Sequence, residues 1–275
     1  MNSISNNKLG QLRVCSYNIH KGFSTGNLRF LLQHIRDAVH LCHADIVFLQ
    51  EVIGEHQGHA SRVQDWIPES QFEYLADTLW QHHAYGKNAV YDYGHHGNAI
   101  LSRFPLLSQH NYDISLFARS SRGVLHTRSE NGLQLFCVHL GLLATERKIQ
   151  LKKLIALIKS CTSDTDIIII AGDFNDWSNT LGAKLKTALA LEDAVLMVTG
   201  KPQATFPAFA PMLAVDRIYY RGLQLLDAKV LSGRPWSRLS DHCAVIADFN
   251  WPNQLFNHQS SANSMRTQST AITRP

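Results

Sequence analysis

Four consecutive isoleucines, Ile167 to Ile170, run through Ala171 and Gly172 straight into Asp173 and Asn175. A short β-branched run closed by Gly and Asp reads as a buried strand, and it constrains the chain to an α/β core. Four other strings share this form: SYNIH around Asn18, DIVFLQE ending at Glu51, LFCVHL around His139, and LSDHCAV carrying Asp241 and His242. Each delivers an amide, carboxylate or imidazole at the end of an apolar run. A carboxylate in such a place needs a partner, because an unpaired charge in a low-dielectric setting destabilises the fold. A bound cation satisfies several of them together.

With 275 residues, 45% of them hydrophobic, the chain can bury one large core. A disordered start (1–10), one catalytic domain (11–250) and a flexible polar tail (251–275) are expected, the tail because it fills with Ser, Thr, Asn and Gln. No apolar stretch approaches the ~20 residues of a spanning helix, and the start lacks a secretory apolar region. The expectation is a cytoplasmic monomer, with peripheral membrane association left open. Cys15, Cys42, Cys137, Cys161 and Cys243 are odd in number and lack paired spacing, so they read as core thiols. The formal charge of +4 gives mild attraction to polyanions without a basic stripe.

Expected strands cover 13–17, 45–50, the NAILSR run, GVLHTRS, LQLFCVHL, the isoleucine run, DRIYY, LLDAKVL and CAVIADF. Helices are expected over 28–42, after Pro68, over ATERKIQLKKLIALIKSC with Ile149, Leu151, Leu154, Ile155 and Ile158 on its apolar side, and over 181–190. Glu130, Asn131 and Gly132 signal an antiparallel hairpin. His82, His83, His95 and His96 read as loop residues. Hairpins mixed with helix crossovers predict two packed mixed β-sheets flanked by helices, with the polar strand ends gathered at one edge.

Hard cations such as Mg²⁺ and Mn²⁺ take oxygen ligands, often one or two carboxylates plus a substrate phosphate. Glu51 is the strongest ligand candidate, and Asn18 could join the metal shell or bind a phosphate oxygen. In GDFN, Gly172 allows a sharp turn and sets Asp173 and Asn175 on one side of an extended segment. One can align a water while the other donates to phosphate; an Asx-type turn is the plain alternative. Asp241 and His242 are adjacent, so they diverge, Asp241 toward the metal and His242 toward phosphate or nucleophile. Asp216 is the candidate to orient His242, with an ion pair to Arg217 as the plain alternative. His139 could donate to the scissile phosphate.

The ordered set YNIH, LQE, NAILSRFP, VHL, GDFN, DRI and SDH resembles the endonuclease/exonuclease/phosphatase superfamily, deoxyribonuclease I-like, over residues 13–249. YNIHKG and VHLGLLATER look most similar to its small bacterial members. The resemblance implies a four-layered α/β sandwich and a Mg²⁺-dependent hydrolase, with Mn²⁺ as substitute. It implies Asn18 and Glu51 holding the metal with Asp241 assisting, and Asp173 orienting or deprotonating water. Asn175 would stabilise the pentavalent phosphorus, and His242, oriented by Asp216, would act with His139 on the phosphate or its protons. Because His139 stands where apurinic endonucleases use tyrosine, apurinic-site repair is disfavoured.

The expected activity is a phosphodiesterase, with a nuclease ahead of a sphingomyelinase-like or other phospholipid or inositol-phosphate enzyme. A nuclease needs cations along the cleft, for which Lys21, Arg103, Arg119, Arg122 and Arg234 are candidates. A lipid enzyme needs exposed apolar loops, for which residues 204–215 are the candidate, although ordinary loop packing is favoured there.

Overall fold

The computed structural model describes residues 10–59, 62–117 and 120–251. Nearly all of the expected disordered start and polar tail lies outside them. Gly10 and Trp251, the described residues at those ends, are tied together: Trp251 N donates to Gly10 O at 2.6 Å, and the indole is buried against Phe104.

In chain order the strands are β1 (Gln11–Asn18), β2 (Ile46–His56), β3 (His82–Tyr91), β4 (Gly94–Ser102), β5 (Leu106–Asp113) and β6 (Gly123–Ser129). They continue with β7 (Gln134–His139), β8 (Ile168–Asp173), β9 (Glu192–Asp193), β10 (Asp216–Arg221), β11 (Gln224–Leu231) and β12 (Ala244–Asn250). The helices are α1 (Leu32–Leu41), α2 (Gln71–Ala76), α3 (Ala144–Cys161), α4 (Thr180–Leu189), α5 (Ala194–Thr199) and α6 (Trp236–Leu239).

Two six-stranded sheets form, in the orders β11-β12-β1-β2-β4-β3 and β5-β6-β7-β8-β10-β9. Each is built on one parallel pair, β1 with β2 and β7 with β8, flanked by antiparallel neighbours. Val14, Phe48 and Val245 of the first sheet meet Leu135, Ile169 and Ile218 of the second in a shared core. Ile168 and Ile170 point the other way, under Leu154 and Ile158 of α3 and Leu185 of α4. Covering on both faces is why the isoleucine run is unbroken. Helices α1, α2 and α6 cover the outer face of the first sheet through Leu32, Ile35, Leu75 and Trp236. The result is the expected four-layered α/β sandwich. Among the described residues no helix is long and apolar enough to cross a membrane.

The structure departs from the sequence reading at several elements. Strand β2 does not stop at Gln50; it continues to His56 through a register shift between Leu49 and Val52. His82 and His83 lie in β3, and His95 and His96 in β4, so none is a loop residue. Strands β3 and β5, absent from the expectation, are the outer edges of their sheets, where exposed polar residues erase the alternating pattern. On α3, Ile149 is exposed, while Gln150 is buried and accepts from Gly141 N at 2.8 Å.

Candidate active site

Strand direction brings the polar residues together. His139 pairs with Asp173 in the parallel β7–β8 register, and Asp216 stands opposite Asp173 in the antiparallel β8–β10 register. Asn18 pairs with Gln50 in β1–β2, next to Glu51. Carboxyl ends of β1, β7 and β8 thus meet the start of β10 and the loop entering β12 at one edge of the sandwich. Gly172 is required there by close approach: at φ +146° a Cβ would lie 1.9 Å from Val138 O of the neighbouring strand.

Asp173 is the hub. Its Oδ2 accepts from Asn18 Nδ2 at 3.2 Å across the two sheets, and lies 3.5 Å from His139 Nε2 and 3.8 Å from His242 Nε2. Its Oδ1 accepts from Asn175 N at 2.9 Å. That last bond is an Asx turn, and Asn175 has φ 48°, so the segment is not extended as expected. Turn and site coexist. Asn175 Nδ2 donates to Leu140 O at 3.0 Å, using one of its two amide hydrogens.

Asp216 Oδ2 lies 2.9 Å from His242 Nδ1. Arg217 does not take Asp216 but pairs with Asp193 at 3.1 Å. Glu51, at φ 55° in the irregular part of β2, receives Lys21 Nζ at 2.5 Å and lies 3.5 Å from Asn18 Nδ2. Asp241 turns toward His20, 3.7 Å from its Nδ1, and reaches the cluster through Ser240. Ser240 Oγ lies 2.8 Å from Asn18 O and 3.3 Å from Asp241 Oδ1.

The two sides of the site hold charge differently. Burial opposes ionisation of Glu51, yet the Lys21 ammonium outweighs it and holds the carboxyl below its usual range. Burial raises the Asp173 carboxyl, reinforced by Asp216 and Glu51 and opposed by His242. For His242, burial works against the charged ring, but Asp216 and Asp173 prevail and raise it to about 10. His139, buried and near Arg122, is held well below its ordinary value and is neutral at pH 7.

Asp173, Asp216 and His242 offer ligand atoms within 4.8 Å of one another, a grouping that differs from the expected set of Asn18, Glu51 and Asp241. Of these, the carboxylates and not the charged ring of His242 could hold a divalent cation: Asp216 Oδ1 is buried without a hydrogen-bond partner among the described residues, and the nearby carboxylates offer oxygen ligands.

The sequence reading missed several supports. Thr205 Oγ1 accepts from Asp216 N at 3.2 Å, Phe206 packs 4.9 Å from the His242 ring, and Gln71 Nε2 donates to Lys21 O at 2.7 Å. Only Ser240, inside LSDH, carried a local signal. Among the expected basic residues, Lys21 and Arg122 lie at the site, Arg122 Nε donating to Leu140 O at 3.1 Å. Arg103 does not, because β4 runs antiparallel to β2 and delivers it to Asp45 at the opposite end. Arg119 lies outside the described residues.

Residues 15–242 match the model of the Endonuclease/Exonuclease/phosphatase family. The chain belongs to that family. It is 41% identical over 243 residues to the uncharacterized protein YbhP of Escherichia coli strain K12, covering 86% of this chain and 96% of that protein. An endonuclease/exonuclease/phosphatase from Beutenbergia cavernae superposes with a TM-score of 0.72 at 17% identity, over 88% of this chain and 72% of that one. D. rerio TDP2 complexed with single strand DNA product gives a TM-score of 0.61 at 17% identity, over 87% and 99%. Members of the family are phosphoester hydrolases, which assigns this chain to the same broad class.

Proposed function

We propose that the protein hydrolyses phosphodiesters by in-line attack of an activated water, with a divalent cation as cofactor. The observation that carries this reading is the convergence of Asn18, His139 and His242 on one oxygen of Asp173. Glu51 and Asn18, with Asp241 assisting, would hold Mg²⁺, or Mn²⁺ in its place. A cationic group, the Lys21 ammonium, already rests on Glu51. His242 stays off the ion, since an imidazolium has no lone pair to give. Bound there, the cation supplies positive charge to the phosphoryl and leaving oxygens.

The remaining work belongs to the side chains. Asp173, its pKa raised toward the working range, accepts the proton of the attacking water. Asn175 offers its second amide hydrogen to a phosphoryl oxygen, and His139 contacts the phosphate. His242, held by Asp216, donates a proton toward phosphate or leaving oxygen. The protein is taken as a cytoplasmic monomer.

One substrate reading is a nuclease, with which the single strand DNA product in D. rerio TDP2 is compatible. A second reading, phospholipid, is favoured by exposed Phe209 and Met212 beside the site and by the loss of Arg103 from the basic flank. The test is Mg²⁺-dependent turnover of plasmid DNA, single-stranded RNA, sphingomyelin, phosphatidylglycerol and inositol phosphates. Asp173→Ala and His242→Ala serve as blanks. Turnover that survives in both variants would remove this site from the chemistry.

A further inference from the structure

Three loops that leave the catalytic edge end in exposed apolar tips. Leu142 and Leu143 follow His139 and are each 58% exposed; Trp177 follows Asn175 and is 52% exposed; Phe209 and Met212 are 66% and 75% exposed. These tips belong to the rim of the site. Ala208 N donates to Asp241 O at 2.7 Å, Phe206 packs on His242, and Trp177 N donates to Asn175 O at 3.1 Å. Arg147 ties two of the loops together, donating to Gly141 O and Leu142 O while its guanidinium lies 5.9 Å from the Trp177 ring centre.

Beside the Leu142–Leu143 and Trp177 tips the neighbouring acids are engaged, and lysines of α3 face water. Glu146 and Asp176 are buried and engaged, Glu146 with Gln150 and Asp176 with the backbone opening α4. Lys148 and Lys152, roughly one and a half and two and a half turns along α3 from Leu143, are exposed. Exposed leucine and tryptophan tips with lysines along the adjoining helix match the boundary of an anionic bilayer, where apolar groups enter the acyl edge and ammonium groups meet head-group phosphate.

We infer that this rim docks the protein on an anionic phospholipid surface and presents a head-group phosphodiester to the Asp173 centre. The inference rests on the phosphodiesterase reading and names its substrate class. It also gives a role to the large apolar side chains exposed at the catalytic mouth.

The experiment is flotation of the full chain with phosphatidylcholine vesicles, with and without phosphatidylglycerol. Wild type should float at least fivefold more with the anionic vesicles. Leu142→Ser with Leu143→Ser, and Phe209→Ser with Met212→Ser, should each lose at least fivefold of that binding at unchanged Tm. If a double variant melts early, Met212→Ser alone, at the most exposed tip, gives the reading. Wild type that stays unbound, or variants that float like wild type, would overturn the inference. So would apolar tips that instead dimerise the chain, seen by light scattering and abolished by the same substitutions, or that bind single-stranded oligonucleotide. Turnover of bis(p-nitrophenyl) phosphate with Mg²⁺ separates the two claims. A protein that floats but shows no such turnover refutes the phosphodiesterase reading, whereas one that turns it over but does not float refutes only the docking.

Discussion

The parallel pair β1–β2 and the parallel pair β7–β8 open onto the same edge but hold charge in opposite ways. On the first, Glu51 is partly open to water, paired with Lys21 and ionised far into acid. On the second, Asp173 is fully enclosed by His139, Asp216 and His242, and burial pushes its pKa up. In the proposed mechanism two strand ends of similar topology divide the work: one keeps a negative charge for a cation, the other keeps a carboxyl that can exchange a proton.

The largest expected effect breaks the second side. Asp173→Ala should lower metal-dependent turnover by about 10³-fold or more, read by steady-state kinetics on a soluble diester. A loss below about tenfold would mean that the proton goes elsewhere. Gly172→Ala attacks the same strand through its backbone. A methyl directed at Val138 O, at a φ that side chains avoid, should cost about 3 kcal/mol by chemical denaturation. An unchanged midpoint would show that β7 and β8 can separate there.

Lys21→Met probes the first side. Removing the ammonium leaves Glu51 free for a divalent ion, so Mg²⁺ should bind about three- to tenfold more tightly by calorimetry. Weaker binding would make Lys21 a support of the metal site rather than its competitor.

The smallest effect concerns pH. His242 is raised from 6.5 to about 10, so the stability from its pairing is complete below pH 6.5 and is lost as pH rises through about 10. Asp216→Asn removes its nearest carboxylate and should flatten that alkaline fall in Tm, measured in metal-free buffer. Superimposable curves would place the dependence in another group.

Much of the molecule was legible in the sequence because apolar periodicity reports burial directly. The β7 strand and α3 follow from LQLFCVHL and ATERKIQLKKLIALIKSC almost residue for residue. Edge strands β3 and β5 were illegible, since a strand with one neighbour and a wet face need not alternate. The exposure of Phe209 and Met212 also ran against the expectation of ordinary packing, because composition cannot say which side of a loop faces the core.

The sequence by itself determined the polar ends of its strands and the family to which their order belongs, because strand cores and motif order are local or linear properties. Only the tertiary structure decided that Asn18 of one sheet reaches Asp173 of the other, that Arg103 leaves at the wrong end, and that Asp216 faces His242 rather than Arg217. Those facts depend on strand direction and register between segments distant in the chain, and on which charges burial forces together.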